Sequence, residues 1–159
     1  MTSADEVVLR EYRAVDLEKI VRLDETCFTE EFRFDRRSMK AYAEASNAVS
    51  LIAEKEDEIV GFAIAHIDLV AASWRGYVVT LDVAAEYRRR GLARQMLQAV
   101  EMLAEAAGAR RIELHVFTEN DAAIRFYERV GYERIGRRRW FYGAEGLDAF
   151  EYRKVLANS

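Results

Sequence analysis

The chain divides into apolar stretches of strand length and stretches in which apolar residues recur at steps of three and four. Seven stretches have the composition of strands, rich in β-branched, aromatic and other apolar residues. They are residues 7–13, 49–54, 59–69, 77–83, 111–116, 132–138 and 148–155. The acidic turn at residues 55–58 separates the second stretch from the third and favours an antiparallel hairpin.

Two helices are predicted between the first and second strands. Asp16 is a candidate N-cap for the first helix, because a side-chain oxygen at that position can accept a hydrogen bond from a free backbone N–H. The apolar face of this helix comprises Leu17, Ile20, Leu23 and Cys27. The place of Cys27 in the pattern predicts a buried thiol. Residues 36–45 form the second, weaker helix.

Two more helices follow the fourth and fifth strands. The third helix has the strongest pattern in the chain and stops at Gly108. Its apolar positions are Ala93, Met96, Leu97, Val100, Leu103, Ala104 and Ala107. Asn120 or Asp121 can cap the fourth helix, which stops at Gly131. Its apolar positions are Ala123, Phe126 and Val130.

This order of elements predicts an α/β fold with a mixed sheet and helices on both faces, in a single domain over residues 1–159. The unit from residue 77 to residue 116 is expected to join two parallel strands by a right-handed crossover.

Composition narrows the class of protein. Apolar residues make up 51% of the chain and charged residues 33%, and the longest apolar run is far below the ~20 residues of a membrane span. A net charge of −4 argues against general nucleic-acid binding, so the basic runs at residues 88–90 and 137–139 should act locally. With one cysteine, neither an internal disulfide nor a cysteine-rich zinc site is expected, and no metal site is predicted.

The remaining expectations concern the setting of the protein. The N-terminal residues 1–6 show no basic stretch followed by an apolar one, so we expect no secretory signal and a cytoplasmic location. No partner in a membrane is expected. The chain is expected to act as a monomer or a homodimer.

The run Arg88, Arg89, Arg90, Gly91, Leu92 and Ala93 lies where a predicted strand hands over to a predicted helix. Backbone N–H groups at a helix N-terminus lack partners within the helix, and they bind phosphates readily. The run lacks the Gly-Lys-Ser/Thr ending of nucleotide-hydrolysing loops and the three glycines of the dinucleotide fingerprint. A solvated turn is the alternative, but the position after a strand favours an anion site.

With R-x-x-G-x-A at residues 88–93 and N-x-x-A-x-x-F-Y-x-x-x-G-Y at residues 120–132, the chain resembles the GCN5-related N-acetyltransferase (GNAT) superfamily. The resemblance implies a three-layer fold, a mostly antiparallel sheet with one parallel pair, and acetyl transfer from acetyl-coenzyme A (acetyl-CoA) to an amine. It implies that the first motif holds the pyrophosphate and that the second helix flanks the pantetheine arm. The implied cofactor-binding residues are Leu81, Asp82, Val83, Arg88, Arg89, Arg90, Gly91, Leu92, Ala93, Arg94, Asn120, Ala123, Phe126 and Tyr127.

A finer likeness involves residues 77–81, 114–116, 140–142 and 148–150, which are similar to the N-terminal acetyltransferase branch, including its ribosomal-protein-alanine type. It implies a peptide or protein N-terminus as acceptor, with a ribosomal protein as one candidate. The chain departs from the bacterial ribosomal type at His115, where that type usually has Glu. It also has Trp-Phe-Tyr at residues 140–142, where a tyrosine pair is common.

An amine attacks a thioester only when it is neutral, and a peptide α-amine, with a pKa of about 7.7 to 8, loses its proton more easily than lysine, near 10.4. His115 titrates near neutrality, so it is a candidate general base that could act through a water held with Tyr77. The resembling branch carries such a pair. The alternative places His115 as a packed, hydrogen-bonded residue of the sheet and Tyr77 as an aromatic residue of a half-buried strand.

Tyr127 matches the position that, in the family, assists departure of the thiolate. Its alternative role is packing beside Phe126, but neighbours on a helix point about 100° apart, so the two rings are not expected to face the same core. A backbone N–H near residues 81–83 could polarise the thioester carbonyl if the strand bulges there.

The resemblance implies that the acceptor enters opposite the cofactor, between residues 28–34 and the aromatic loop at residues 139–142. The implied acceptor-binding residues are Phe28, Glu30, Glu31, Phe141 and Tyr142. The two glutamates could attract an amine or be merely solvated, and His66 is expected to be structural. Two alternatives stay open: a small-molecule or lysine amine as acceptor, and a non-catalytic acyl-CoA sensor or partner subunit.

Overall fold

A computed structural model describes residues 6–156, and residues 1–5 and 157–159 lie outside the described part. The strands are β1 (Val8–Glu11), β2 (Ala48–Lys55), β3 (Glu58–Val70), β4 (Ser73–Val83), β5 (Arg111–Phe117), β6 (Glu133–Arg138) and β7 (Ala149–Val155). The helices are α1 (Leu17–Cys27), α2 (Arg36–Ala43), α3 (Leu92–Ala106) and α4 (Asp121–Arg129). Within the described residues, none of these helices is long and apolar enough to cross a lipid bilayer. The expectation drawn from residues 1–6 depends largely on residues outside the described part.

The strands form one sheet in the order β1-β2-β3-β4-β5-β7-β6. Its pairs are antiparallel except for β4 and β5, which are parallel and joined through α3. The predicted mixed sheet with one parallel pair is therefore confirmed. The last strand, β7, lies between β5 and β6, an order that the sequence did not predict.

The parallel pair is short. Pairing runs only from Arg75 to Tyr77 on β4 and from Arg111 to Glu113 on β5. Within the described chain, no further pairing joins the two strands, so they diverge toward their carboxyl ends. We call the space between them beyond Tyr77 and Glu113 the fork. Backbone groups of a strand bond to neighbours on both sides, so the edge of β4 that faces the fork is left for another partner.

Helices cover the sheet on both faces, which confirms the three layers. On one face α1 and α2 pack on β2 and β3, with Ile20 and Met39 fully buried against Phe62. On the other face α3 packs on the sheet through a larger cluster that includes Leu97 and Ile112. Burying one such side chain contributes about 1.5–3 kcal/mol, so the two clusters fix the sheet between the helices.

The sheet has one hairpin turn that the sequence predicted and another that it did not predict. The predicted turn holds Glu56 and Asp57 at φ 51° and 67°, the left-handed pair that two-residue hairpins require. A second turn places Ala71 and Ala72 at φ 53° and 64°. Ala-Ala carries no turn signal, so the sequence predicts that β4 starts at residue 77. The strand begins four residues earlier, at Ser73.

Several local expectations need correction. The Asp16 carboxylate does not cap α1; it accepts from the Arg13 backbone N–H and pairs with Arg10. Cys27 is half-buried rather than buried. Leu103 is 45% exposed and Ala107 is exposed, because the core-facing stripe of α3 is narrower than the apolar pattern.

Candidate active site

The basic loop, residues 88–91, connects the carboxyl end of β4 to α3 by way of a short 3-10 turn. Gly91 is the N-cap of α3 with φ 80°, and no side chain caps the helix. The first helical bond runs from the Gln95 N–H to the Gly91 carbonyl, so the N–H groups of Leu92, Ala93 and Arg94 have no partner within the helix. A Cβ built on Gly91 would meet nothing within 4 Å. The loop thus presents free donors toward open space, as an anion site requires.

The arginines of this region have different roles. The Arg88 Nε donates to the Val83 carbonyl at 3.0 Å and ties the loop to the end of β4. Arg89 has φ 64°, so a second left-handed residue bends the loop beside Gly91. The Arg90 guanidinium lies 5.3 Å from the centre of the Tyr87 ring. Arg94 borders a cavity of about 240 Å³ between α3 and the end of α4, together with Arg129 and with Lys154, which pairs with Glu101.

Residues of the second motif lie at the start of α4. The Asn120 side chain accepts from the Ala123 N–H at 3.1 Å, which confirms Asn120 as the helix cap. Its side-chain NH₂ group is not engaged by this bond and can donate to a ligand. The predicted separation of Phe126 and Tyr127 is wrong, since both rings contact the same core cluster, with centroids 5.1 Å apart.

Tyr127 is buried, and its ring also contacts Tyr132 edge to face at 5.7 Å. Burial raises the pKa of its phenol well above the usual range, and the charge that Asp82 can carry adds to the effect. Among the described residues, no group hydrogen-bonds to its hydroxyl. Tyr127 therefore keeps its proton at neutral pH and holds an unused donor.

Tyr77 and His115 meet at the start of the fork. Tyr77 is the last residue of β4 that pairs with β5, and His115 lies two residues beyond its partner Glu113. The Tyr77 hydroxyl and the His115 Nδ1 are 2.7 Å apart. The two side chains of the expected pair are thus in direct contact. Burial raises the pKa of Tyr77, so its phenol is neutral and can donate to the ring nitrogen.

His115 is enclosed on its other sides. Its Nε2 lies 3.3 Å from Oε1 of Glu151 on β7, and the Phe141 ring stacks on the imidazole at 4.1 Å. Burial lowers the pKa of His115, although Glu151 partly offsets this. The imidazole is consequently neutral near pH 7 and able to accept a proton. A cavity of about 400 Å³ opens beside this group on the sheet face.

The two segments expected to admit the acceptor face each other, and we call the space between residues 28–34 and 139–142 the acceptor channel. Phe32 and Tyr142 make an edge-to-face contact across it at 4.8 Å. Phe117 of β5 touches both rings. Burial raises the pKa of Tyr142 to about 12. Phe28 is half-buried at the end of α1, whereas Glu30 and Glu31 are exposed, so their carboxylates are available to a cation.

The expectation for residues 81–83 requires correction. The bulge in β4 is at Val79, which has no partner in the β3 register, and not at residues 81–83. Asp82 is 1% exposed and faces Asp24 and Thr80, so its side chain cannot reach a ligand. The Val83 carbonyl accepts from Arg88 and from the Cys27 thiol. Leu81 remains half-buried.

Sequence reasoning did not identify Phe32, Phe117 and Glu151 as site residues. Phe117 could have been found, because it follows His115 by two residues and so shares its face of the strand. Glu151 had no such signal, since its place depends on the pairing of β5 with β7. His66 is structural as expected, with its Nε2 2.9 Å from the Tyr42 carbonyl oxygen. In the part of the chain that the structure describes, no three His, Cys, Asp or Glu side chains converge on a possible metal position.

Comparisons with known proteins identify the family of the chain. The model of the acetyltransferase (GNAT) family matches residues 17–132. The N-alpha-acetyltransferase 30 of Schizosaccharomyces pombe is 36% identical over 65% of this chain and 69% of its own.

Two solved structures share the fold. The ribosomal-protein-S18-alanine N-acetyltransferase of Escherichia coli superposes with a TM-score of 0.84 at 19% identity, over 97% of this chain and 96% of its own. NAA60 of Arabidopsis thaliana, solved with acetyl-CoA, gives a TM-score of 0.83 at 22% identity, over 95% and 99%. At identities this low, the two solved structures establish a shared fold only. The family is established by the sequence match over residues 17–132. The chain belongs to the acetyltransferase (GNAT) family and is an N-acetyltransferase.

Proposed function

We propose that this enzyme transfers the acetyl group of acetyl-CoA to the N-terminal α-amine of a peptide or protein. The observation that carries the proposal is the Tyr77–His115 hydrogen bond at the start of the fork. It places a neutral base beside the unpaired edge of β4, at the same end of the sheet as the basic loop.

The basic loop and the fork together fit acetyl-CoA. The unpaired N–H groups around Gly91 suit a diphosphate, which can accept several hydrogen bonds at once. The edge of β4 facing the fork can pair with the amide groups of the pantetheine arm, as a strand would. We place the side-chain NH₂ of Asn120, the N-cap of α4, against the same arm, because its Oδ1 bond to Ala123 leaves that donor available. With the diphosphate at Gly91 and the pantetheine arm along β4, the thioester would lie in the fork near Tyr77.

The reaction then needs few groups. The α-amine loses its proton to the Tyr77–His115 pair and attacks the thioester carbonyl. Carbon–sulfur cleavage leaves coenzyme A as a thiolate, which the unused hydroxyl of Tyr127 can stabilise by a hydrogen bond. Because burial raises its pKa, this phenol donates without being ionised itself.

The acceptor channel suits a peptide N-terminus. Its aromatic walls are formed by Phe32, Phe141 and Tyr142, and the exposed carboxylates of Glu30 and Glu31 lie on one rim. A peptide can lie in such a cleft with its amine pointing to Tyr77. The N-alpha-acetyltransferase relative supports this class of acceptor, and a ribosomal protein is one candidate within it.

The test is acetyl transfer from acetyl-CoA to a library of peptides with free N-termini, with the same peptides blocked at the N-terminus but containing lysine, and with polyamines. We expect α-amine acetylation that is lost in His115→Ala. Activity confined to lysine or small amines would overturn the proposed acceptor. Binding of acetyl-CoA without any turnover would favour the sensor alternative.

A further inference from the structure

We infer that Glu151 is a positioning residue for the base, His115. Its carboxylate accepts the Nε2–H of His115, so that Nδ1 carries no hydrogen and can accept one from Tyr77. The inference rests on the proposed function for its catalytic meaning. The fixed tautomer of His115 follows from the contacts of its ring and does not depend on what the enzyme acetylates. Glu151 contacts the ring of His115, and its proposed effect on the reaction passes through that ring.

The arrangement is set by strand pairing. In the antiparallel register of β5 and β7, Glu151 lies directly opposite His115. Side chains at such positions are close enough to interact. The result is a row of three groups, with 2.7 Å between the Tyr77 hydroxyl and Nδ1 and 3.3 Å between Nε2 and the carboxylate.

The chemistry of the row fixes the protons. A neutral imidazole has one N–H donor and one acceptor nitrogen, and a carboxylate only accepts. The nitrogen facing Glu151 must therefore carry the hydrogen, and Nδ1 must accept from Tyr77. The Tyr77 oxygen is then the atom that keeps free lone pairs toward the acceptor channel.

This order gives the proton a defined route. As the amine attacks, its N–H bond breaks and an O–H bond forms on Tyr77, while the original Tyr77 proton moves to Nδ1. The net product is an imidazolium whose positive charge lies against the Glu151 carboxylate. A base held by a third group in this way has the logic of a catalytic triad.

Charges around His115 show why the carboxylate matters. Arg75 on β4 and Arg138 on β6 both disfavour the imidazolium, whereas Glu151 favours it. Tyr77 is neutral, and the stacked Phe141 ring is uncharged. Glu151 thus offsets two nearby cations. Its Oε1 is also 3.5 Å from the Arg138 Nε, which helps to hold the carboxylate in place.

Gly136 on β6 provides the room that Glu151 needs. A Cβ at Gly136 would lie 2.8 Å from Oε2 of Glu151, closer than any real contact. The side chain of Glu151 would have to move, and with it the carboxylate that faces His115. Gly136→Ala is therefore a second way to disturb the same contact without altering either partner.

The first experiment is ¹⁵N NMR of the histidine rings in the full chain, which has only two histidines. We expect His115, assigned by its loss in His115→Gln, to show the Nε2–H tautomer. In Glu151→Gln the pKa of His115 should fall, because a group that raises it has been removed. A wild-type His115 in the Nδ1–H form would overturn the inference whatever the enzyme acetylates.

The second experiment is the pH profile of kcat/KM. In Glu151→Gln the acidic limb should move to lower pH, and kcat should fall by roughly tenfold, a part of the 10²–10⁴ that a general base contributes. The KM of the peptide should stay constant. Gly136→Ala should shift the limb in the same direction. Glu133→Gln, which neutralises an exposed carboxylate on β6, should leave kcat and the pH profile unchanged. An acidic limb that does not move in Glu151→Gln would refute the positioning role of Glu151.

Discussion

Asp24 on α1 and Asp82 on β4 face each other in the interior, at 0% and 1% exposure. Each uses one oxygen: Asp24 accepts from the Phe34 N–H, and Asp82 accepts from the Thr80 hydroxyl. The other two oxygens, Oδ1 of Asp24 and Oδ2 of Asp82, have no donor among residues 6–156. A proton held between the two carboxyl groups satisfies both. The pair thus connects the segment that lines the acceptor channel to the strand that borders the fork.

This pair should make stability depend on pH. Burial raises the pKa of both carboxyl groups above the ordinary 3.8. Since the folded chain holds protons more tightly than the unfolded chain, the contribution is fully present below that value and is lost as pH rises. Asp24→Asn supplies an N–H donor to Asp82 and removes the need for the proton, so its Tm should exceed that of the wild type more at pH 8 than at pH 5.

Thermal unfolding at several pH values checks this prediction. Asp35→Asn is a matched control, because Asp35 is an exposed N-cap whose pKa is lowered, so it is ionised in both states between pH 5 and 8. A Tm difference for Asp24→Asn that does not grow with pH would show that the pair holds no extra proton.

Gly91→Ala should weaken binding of acetyl-CoA more than it weakens the fold. The left-handed conformation costs about 1–2 kcal/mol in a residue with a Cβ, and the Cβ would project into the open space where the diphosphate approaches. We expect KM for acetyl-CoA to rise by about tenfold with kcat little changed. Gly146→Ala has a similar φ, 83°, and equally open surroundings, so it should show the Tm loss without the change in KM. Equal KM values for the two variants would argue against a phosphate at Gly91.

Tyr127→Phe should lower kcat without lowering stability. Its hydroxyl has no hydrogen-bond partner among the described residues, so its removal leaves no group unsatisfied. We expect kcat to fall by roughly tenfold or more, as for a lost acid catalyst, at an unchanged Tm. Tyr132→Phe is the converse control. That hydroxyl donates to Glu101 at 2.8 Å, so its loss should cost about 1 kcal/mol of stability and leave kcat intact.

Phe32→Ala should affect the peptide and not the cofactor. The ring closes one side of the acceptor channel through its contacts with Tyr142 and Phe117. Each such aromatic pair contributes about 0.5–1.5 kcal/mol beyond the area that it buries. Steady-state kinetics should show a KM for the peptide raised by about tenfold and a KM for acetyl-CoA that is unchanged. Trp74→Ala, which removes an exposed aromatic residue at the other end of the sheet, serves as the control.

Local signals explain what the sequence predicted well. The positions of α1 to α4 follow from apolar spacing, and the basic loop lies between a strand and a helix as predicted. The hairpin at Glu56 and Asp57 follows from its polar turn. The one at Ala71 and Ala72 was missed, because Ala-Ala carries no turn signal; the two alanines have positive φ where Val70 of β3 pairs with Ser73 of β4.

The chain alone determined the order of the elements, the basic loop and the identities of Tyr77, His115 and Tyr127. Only the tertiary structure decided that β7 enters between β5 and β6, and this pairing puts Glu151 opposite His115. The same holds for Asp24 with Asp82 and for Phe32 with Tyr142. These contacts join residues far apart in the chain. They are set by how whole faces pack, whereas spacing and caps report only on neighbours along the backbone.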